Sequence, residues 1–355
     1  MSRGFLPLLV LAAALGCSSA PVAPRPAPRA VVDAHAREIH ALVFSPGGAM
    51  FASAGGGAAD PAVDEITLWT TATGARRMTF ATYKGVAASL AFSPDGTLLA
   101  VGGTDGRIAL LEIDSGTERV SFAHPRGRVV CLAFSYDGKA LVSVVHSEGE
   151  QEEVRVCRWD VTGGVPRDTF AVPAAAAPFA LSPDGASLAW PARGENAGIR
   201  ILDLESKSER TLSNIGVVPG DSLVYSPDGK WLAAVHHRRW SPLPNHCPYV
   251  YLIDSQTGRI RLRSPRPFDA RRGLALSHDA RLLARGVDSG LQLWDLQALE
   301  VRATVDEPDS RTRGAEMLVF SPDDRTLVST DGSGVLLVWE VSLLVDPRRS
   351  DPRRD

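Results

Sequence analysis

The sequence predicts an all-β protein built from seven copies of one four-stranded antiparallel unit, joined in a closed ring. Three observations predict it. A serine recurs at positions 45, 93, 135, 182, 226, 277 and 321, each time after an alternating apolar stretch. A turn and a second apolar strand follow every one of these serines. A third strand then ends at Trp69-Thr70, Leu111-Glu112, Trp159-Asp160, Leu202-Asp203, Ile253-Asp254, Trp294-Asp295 or Trp339-Glu340. Self-similarity with a period of about 44 residues marks a repeat architecture with one supersecondary unit per repeat.

The first strand alternates large, small, large. Before Ser93 it reads Leu90-Ala91-Phe92, and elsewhere the small position holds Val43, Ala133, Ala180, Val224, Ala275 or Val319. Side chains alternate between faces along a strand, so this strand is buried on both faces and more tightly on one. The turn after the serine is plainest at Pro94-Asp95-Gly96, Pro183-Asp184-Gly185 and Pro227-Asp228-Gly229. Tyr136-Asp137-Gly138 and Pro322-Asp323-Asp324 are its variants. Proline presets φ, aspartate accepts from nearby N–H groups and glycine tolerates the left-handed position, which together make a hairpin. The second strand sets Phe51, Leu99, Leu141, Leu188, Leu232, Leu283 and Leu327 before a small residue. After the third strand a glycine turn (Gly74, Gly116, Gly163, Gly258) leads to a weaker fourth strand, such as Arg76 to Phe80 or Glu118 to Phe122.

Four antiparallel strands in a unit of this length form a propeller blade, so the predicted fold is a seven-bladed β-propeller. The last unit lacks a fourth strand after Val341. Val31-Val-Asp-Ala-His35 aligns with Val120-Ser-Phe-Ala-His124 on the way into unit three. The N-terminal strand, Ala30 to Asp33, is therefore expected to complete the seventh blade and close the ring, which removes free sheet edges.

The Trp-Asp endings resemble the WD-repeat family over Val31 to Val341. The dipeptide is complete at Trp159-Asp160 and Trp294-Asp295, while Trp69 and Trp339 keep the tryptophan. Asp105 and Asp288 match the family's acidic position in the turn before the third strand. Ala34-His35 and Ala123-His124 partly match its Gly-His. The resemblance implies an internal Asp-His-Ser-Trp network that survives here in fragments. It also implies a non-catalytic scaffold for a protein or peptide.

The ends of the chain read differently from its body. Residues 1–16 have a basic start at Arg3 and an apolar run from Phe5 to Leu15, the pattern of a signal peptide. Ala14-Leu15-Gly16-Cys17 resembles the lipobox of bacterial lipoproteins, with Ala14 where that family most often has leucine. The resemblance implies lipidation at Cys17 and location in the cell envelope, with the outer membrane favoured over the inner because Ser18 follows the cysteine. Residues 17–30 then form a tether rich in alternating proline, which favours extended polyproline II. The propeller occupies 31–345. Residues 346–355 repeat Asp-Pro-Arg-Arg without apolar residues and read as a disordered tail.

Composition narrows the function. The chain has 355 residues, 44% of them hydrophobic, and a formal net charge of -3. That balance suits a globular monomer and gives no electrostatic footprint for nucleic acid. Four of the 38 basic residues are lysines, a skew that fits coding bias. Four cysteines are too few for a disulfide scaffold of this size. Cys131 and Cys157 fall on the first and third strands of one blade, with a strand expected between them. No nucleophile-elbow, phosphate-loop or zincin motif appears, and the recurring Ser and Asp follow the repeat as turn residues do.

Length variation points to one face. From the repeated serine to the tryptophan position is 17 or 18 residues in units two, six and seven, but 24, 24 and 27 in units one, three and five. The insertions are Gly55 to Glu65, His146 to Glu153 and His236 to Pro248, all between second and third strands. Long loops on one end of a rigid scaffold mark a binding face. The third-unit loop contributes Glu148, Glu150 and Glu152. The fifth-unit loop contributes His236, Arg238, Arg239 and Trp240, and Trp and Arg are favoured interface anchors. His236, His237, His246 and Cys247 match no metal-ligand spacing, so neither metal nor cofactor is expected. Asp64, Glu148 and His236 break the repeat and are where a catalytic group would lie. The alternatives to a scaffold are a lactonase-like propeller hydrolase and an envelope transport accessory similar to the periplasmic Tol-system propeller.

Overall fold

The computed structural model describes residues 26–56, 64–80, 83, 85–147, 153–172, 178–192, 198–212, 222–236, 249–263, 273–287, 290–306 and 315–345. Within them the strands form seven four-stranded antiparallel sheets arranged in a ring. Blade 2 is representative: Ala87–Phe92, Leu98–Gly103, Arg107–Glu112 and Glu118–Ala123 pair in sequence order.

Blade 7 is assembled from both ends of the chain. Leu318–Phe320, Thr326–Thr330 and Val335–Glu340 are completed by Ala30–Asp33, with Ala30 opposite Val338 and Asp33 opposite Val335. The N-terminal strand thus closes the ring, as the alignment of Val31 with Val120 predicts. After Glu340 the chain forms a short helix, Val341–Val345, which the sequence reading did not anticipate. The fourth-strand place is already taken. Val341 donates its N–H to the Arg325 carbonyl (2.9 Å), and Val341 and Leu344 are buried in the core instead.

The large-small-large pattern is what joins the blades. Leu90 and Phe92 of blade 2 pack with Ala41 and Val43 of blade 1. Leu132 and Phe134 of blade 3 pack with Ala91 of blade 2. Leu318 and Phe320 of blade 7 meet Ala275 of blade 6, and Leu42 and Phe44 meet Val319 across the closure. The small residue on one blade leaves room for the large pair of the next. Each fully buried Leu or Phe contributes about 2 kcal/mol, so these contacts between blades make up a large part of the core.

A register shift precedes the tryptophan position in five blades, at Leu68/Trp69, Leu110/Leu111, Arg158/Trp159, Leu252/Ile253 and Leu293/Trp294. Such a bulge bends a strand and increases its twist. Letter patterns did not disclose it.

Three hairpins extend further than expected. Met50–Gly56 pairs with Asp64–Thr70, Ala140–Ser147 with Glu153–Asp160, and Trp231–His236 with Tyr249–Asp254. The insertion bounds read from sequence therefore need correction: Gly55 pairs with Glu65, His146 with Val154 and His236 with Tyr249. Backbone pairing continues past the point where the side chains become polar, because each paired residue satisfies its own N–H and C=O. Cys131 and Cys157 are free thiols in blade 3, with Ala140–Ser147 between their strands.

Candidate functional site

The turns between first and second strands gather at one end of the ring. Their chemistry is repeated. In blade 2, Ser93 Oγ donates to the Asp95 carboxylate (2.6 Å) and accepts from the Leu98 N–H (2.9 Å). Asp95 also accepts the Thr97 N–H (3.0 Å). Asp137, Asp184, Asp228, Asp279 and Asp323 take the same serine hydroxyl bond in their own blades. These serines are fixed turn residues, each hydroxyl already given to a carboxylate. The same bonds hold the carboxyls of Asp95, Asp137 and Asp323 below the usual carboxylate range.

The residue after each serine stands on the rim of a cavity of about 800 Å³ to which all seven blades contribute. These rim residues are Pro46, Pro94, Tyr136, Pro183, Pro227, His278 and Pro322. Val43, Leu90, Leu132, Leu181 and Val319 wall the cavity behind them. The prolines lock neighbouring blades. A Cβ added at Gly48 would lie 3.2 Å from Pro322 Cδ, and one at Gly138 would lie 3.5 Å from Pro94 Cδ. Both glycines have φ near +70° (70° and 69°), which an L side chain rarely adopts.

Two positions break this collar. Tyr136 replaces proline in blade 3 and its side chain is 88% exposed. His278 replaces proline in blade 6, and the facing glycine of blade 7 is replaced by Asp324 at φ 57°. The His278 N–H donates to Asp324 Oδ1 (2.7 Å), the Asp279 N–H donates to Oδ2 (3.0 Å), and His278 Nδ1 lies 3.3 Å from Oδ1. In the sequence Tyr136 reads as a turn variant and His278 belongs to no motif. The available signal was a non-proline residue at a position otherwise held by proline.

The other end of the ring carries the links between blades and the turns between second and third strands. Blades 2 and 7 close these turns tightly. Asp105 accepts the Arg107 N–H (3.0 Å), and Asp331 accepts the N–H groups of Ser333 (2.8 Å) and Val335 (3.1 Å). Asp331 went unnoticed in the sequence. Blades 1, 3 and 5 instead extend from Gly56 to Asp64, Ser147 to Glu153 and His236 to Tyr249. Blade 4 separates its second and third strands, Ala192 and Gly198, by as many residues as blade 3. The expected partner residues Glu148, Glu150, Glu152, Arg238, Arg239 and Trp240 lie outside the described residues, as do Cys17, Asp288, His237, His246 and Cys247. For His236 the backbone alone is described, as the last residue of its strand.

Asp64, singled out because it breaks the repeat, is buried at the root of the blade 1 hairpin (4% exposed). Its Oδ2 accepts the Ala87 N–H (2.8 Å), which ties blade 1 to blade 2, and His40 Nε2 lies 3.7 Å from Oδ1. Burial raises its carboxyl above the usual range. Among the described residues no group of three or more His, Cys, Asp or Glu side chains is placed to hold a metal ion.

The tryptophan positions lie inside the blades. Trp159 Nε1 donates to Ser143 Oγ (2.8 Å), and His124 Nε2 lies 2.9 Å from the same oxygen. In blade 1, Trp69 Nε1 donates to Ser53 Oγ (2.8 Å), with His35 Nε2 at 2.6 Å. In blade 7, Trp339 Nε1 donates to Ser329 Oγ (2.9 Å). Trp294 Nε1 reaches Gln292 Oε1 at 3.4 Å. Among the described residues no carboxylate completes the two histidine sets. His124 Nδ1 faces Cys157 Sγ at 3.6 Å. Burial pushes both imidazoles down to about 4. The aspartates that follow Trp159 and Trp294 serve the next turn. Asp160 accepts the Thr162 N–H (2.9 Å), Asp295 accepts those of Gln297 and Ala298 (both 2.8 Å), and Arg302 closes on Asp295 at 2.7 Å.

Comparison with known proteins agrees with this architecture. Residues 67–137 match the family described as Anaphase-promoting complex subunit 4 WD40 domain. The chain is also similar to Protein LST8 homolog of Drosophila melanogaster, 26% identical over 183 residues, covering 40% of this chain and 58% of that relative. It thus spans little more than half of the relative's length. Both likenesses support a propeller of the WD-repeat type.

Proposed function

We propose that the protein is a non-catalytic scaffold, lipid-tethered at Cys17 in the bacterial cell envelope, that holds a protein or peptide partner on the face bearing the lengthened hairpins. One observation carries this reading: the hairpins of blades 1, 3 and 5 have the longest spans from the repeated serine to the tryptophan position, and all three lengthen at the same end of the ring. A rigid scaffold with variable loops at one end suits recognition. WD40 propellers generally bind other proteins, which is consistent with the likenesses found. Arg238, Arg239 and Trp240 would anchor one side of the contact, and Glu148, Glu150 and Glu152 another.

The alternatives find less support. A channel-mouth hydrolase would use free polar groups, whereas the carboxylates lining the cavity, Asp184 and Asp228, each accept a serine hydroxyl and a backbone N–H of their own turn. The Tol-system propeller has six blades, against seven here.

Photo-crosslinking in intact envelopes tests the proposal. The full chain is compared with a variant whose three hairpins are each shortened to the Asp331–Gly334 turn of blade 7. A partner captured by the full chain should be lost from the variant. Equal capture by both would remove the face from consideration.

A further inference from the structure

Blade 3 departs from the other six on the face it turns to blade 4. The residue before the tryptophan position is apolar and buried in the other blades, as Leu68, Leu110, Ile201, Leu252, Leu293 and Val338. In blade 3 it is Arg158. Register sets Arg158 between Val142 and Asp168, one row nearer the serine turns than Val156 and Phe170. Among the described residues Arg158 forms no ion pair, and its Nε is enclosed without a hydrogen-bond partner. Asp168, beside it on the outer strand, lies 3.4 Å from Lys207 Nζ instead. An enclosed donor without a partner is rare in a folded protein and asks for a ligand or another cause.

A second, independent departure falls at the same boundary. Tyr136 stands in the collar where five blades have proline, and it leaves the next blade uncovered. A Cβ added at Gly185 of blade 4 would have backbone atoms of Phe134 and Ala133 as its three nearest neighbours, the closest at 3.1 Å. At Gly138 and Gly48 that neighbour is the proline of the preceding blade. Between blades 3 and 4 lies a cavity of about 270 Å³, small for a ligand pocket. Val142, Val156, Phe170 and Leu204 give it apolar walls, and Arg158 lines it among them. The exposed carboxylates Asp137, Asp184 and Glu205 line it as well, and among the described residues no lysine does. The turn bonds of Asp137 and Asp184 use Oδ1 alone.

We infer that this cavity takes the C-terminal residue of a partner peptide whose preceding residues are basic. The terminal carboxylate pairs with the Arg158 guanidinium, whose planar fork matches it. The terminal side chain is apolar and rests against Phe170 and Leu204. The basic residues ahead of it meet Asp137, Asp184 and Glu205. An acidic peptide would face three carboxylates against one guanidinium, and an apolar one would leave Arg158 without a partner. The volume admits one residue and its carboxylate, which fits a chain end better than a passing segment. The cavity lies at the serine-turn end, so it is a site separate from the lengthened hairpins and does not rest on their role.

Fluorescence polarisation tests this. The full chain is titrated into fluorescein-labelled Gly-Lys-Lys-Lys-Leu with a free C-terminal carboxylate, and into the same peptide amidated, at low salt. The free acid should bind at least tenfold more tightly than the amide. Arg158→Leu gives blade 3 the residue that blades 1, 2, 5 and 6 hold there, and it should abolish the preference. Tyr136→Pro, which restores the collar over Gly185, should weaken the free acid at least fivefold and reads the same cavity if Arg158→Leu does not fold. Glu205→Lys should weaken the free acid as much, whereas Glu300→Lys, the same change on the outer strand of blade 6, should leave it unchanged. Equal binding of acid and amide, a preference that persists in Arg158→Leu, or no binding of either peptide would overturn the inference. A peptide held by the acidic third-unit loop instead would bind equally as acid and amide and be released by shortening that hairpin, which would leave the proposed partner face standing.

Discussion

The backbone N–H of His278 donates to the Asp324 carboxylate across the boundary of blades 6 and 7 at 2.7 Å, a bond that a proline at position 278 cannot make. Elsewhere in the collar a proline packs on a glycine of the next blade, as Pro322 does on Gly48. His278 and Asp324 replace both members of that contact at once and convert packing into hydrogen bonding. His278→Pro alone should cost about 1–2 kcal/mol by leaving the carboxylate short of a donor. Asp324→Gly alone should be nearly neutral, because loss of the bonds is offset by relief of a positive φ. The double variant should recover at least half of the His278→Pro loss. A double-mutant cycle by urea denaturation measures the coupling.

Ser143 serves two buried partners, Trp159 and His124. Ser143→Ala should cost about 2 kcal/mol, because the indole N–H and an imidazole nitrogen both lose their partner in the core. Ser329→Ala in blade 7, which strands Trp339 alone, should cost less. Equal losses in chemical denaturation would show that the histidine bond adds nothing.

Burial pushes His35 and His124 down to about 4, from 6.5 in the unfolded chain. The unfolded state therefore binds more protons between pH 6.5 and pH 4. Stability should be fully present above about pH 6.5 and fall as the pH drops through that window, by about 3 kcal/mol for each histidine at full extent. His124→Asn should flatten the acid limb by about half. Urea midpoints measured from pH 7 to pH 4 check the slope, and an unchanged slope in the variant would assign it to other groups.

Asp64 is a buried carboxylate held up in pKa by desolvation while it accepts the Ala87 N–H. Asp64→Asn keeps an acceptor and removes the charge, so stability at pH 7 should stay within about 0.5 kcal/mol or improve. Asp64→Ala leaves the N–H unpaired and should cost about 1–2 kcal/mol. Thermal melts of the two variants at pH 7 separate the bond from the charge.

Removing the closing strand tests the ring itself. A chain starting at Ala34 exposes the edge of Val335–Glu340, which Ala30–Asp33 now covers. Exposed edges recruit other strands, so the truncated chain should melt earlier and self-associate with concentration. Light scattering after size exclusion reads the outcome, and a monomer of unchanged melting temperature would refute a closing role.

By itself the sequence determined the blade, the blade count and the closure. Each rests on local patterns that recur: Leu90-Ala91-Phe92 on a two-sided strand, Ser93-Pro94-Asp95-Gly96 in a turn, and the echo of Val120 to His124 at Val31 to His35. A repeat averages out the exceptions in any one copy, so Leu111 or Ile253 at a tryptophan position does not obscure it. The sequence also marked Asp64 as an exception to the repeat. Only the tertiary structure decided what faces what. That His40 approaches Asp64, that Pro322 rests on Gly48, and that Gly185 meets the Phe134 backbone all depend on contacts between blades or on register summed along strands. Such relations join residues far apart in the chain. Their geometry is set by the twist and bulges of the sheets, which leave no mark in the order of the residues.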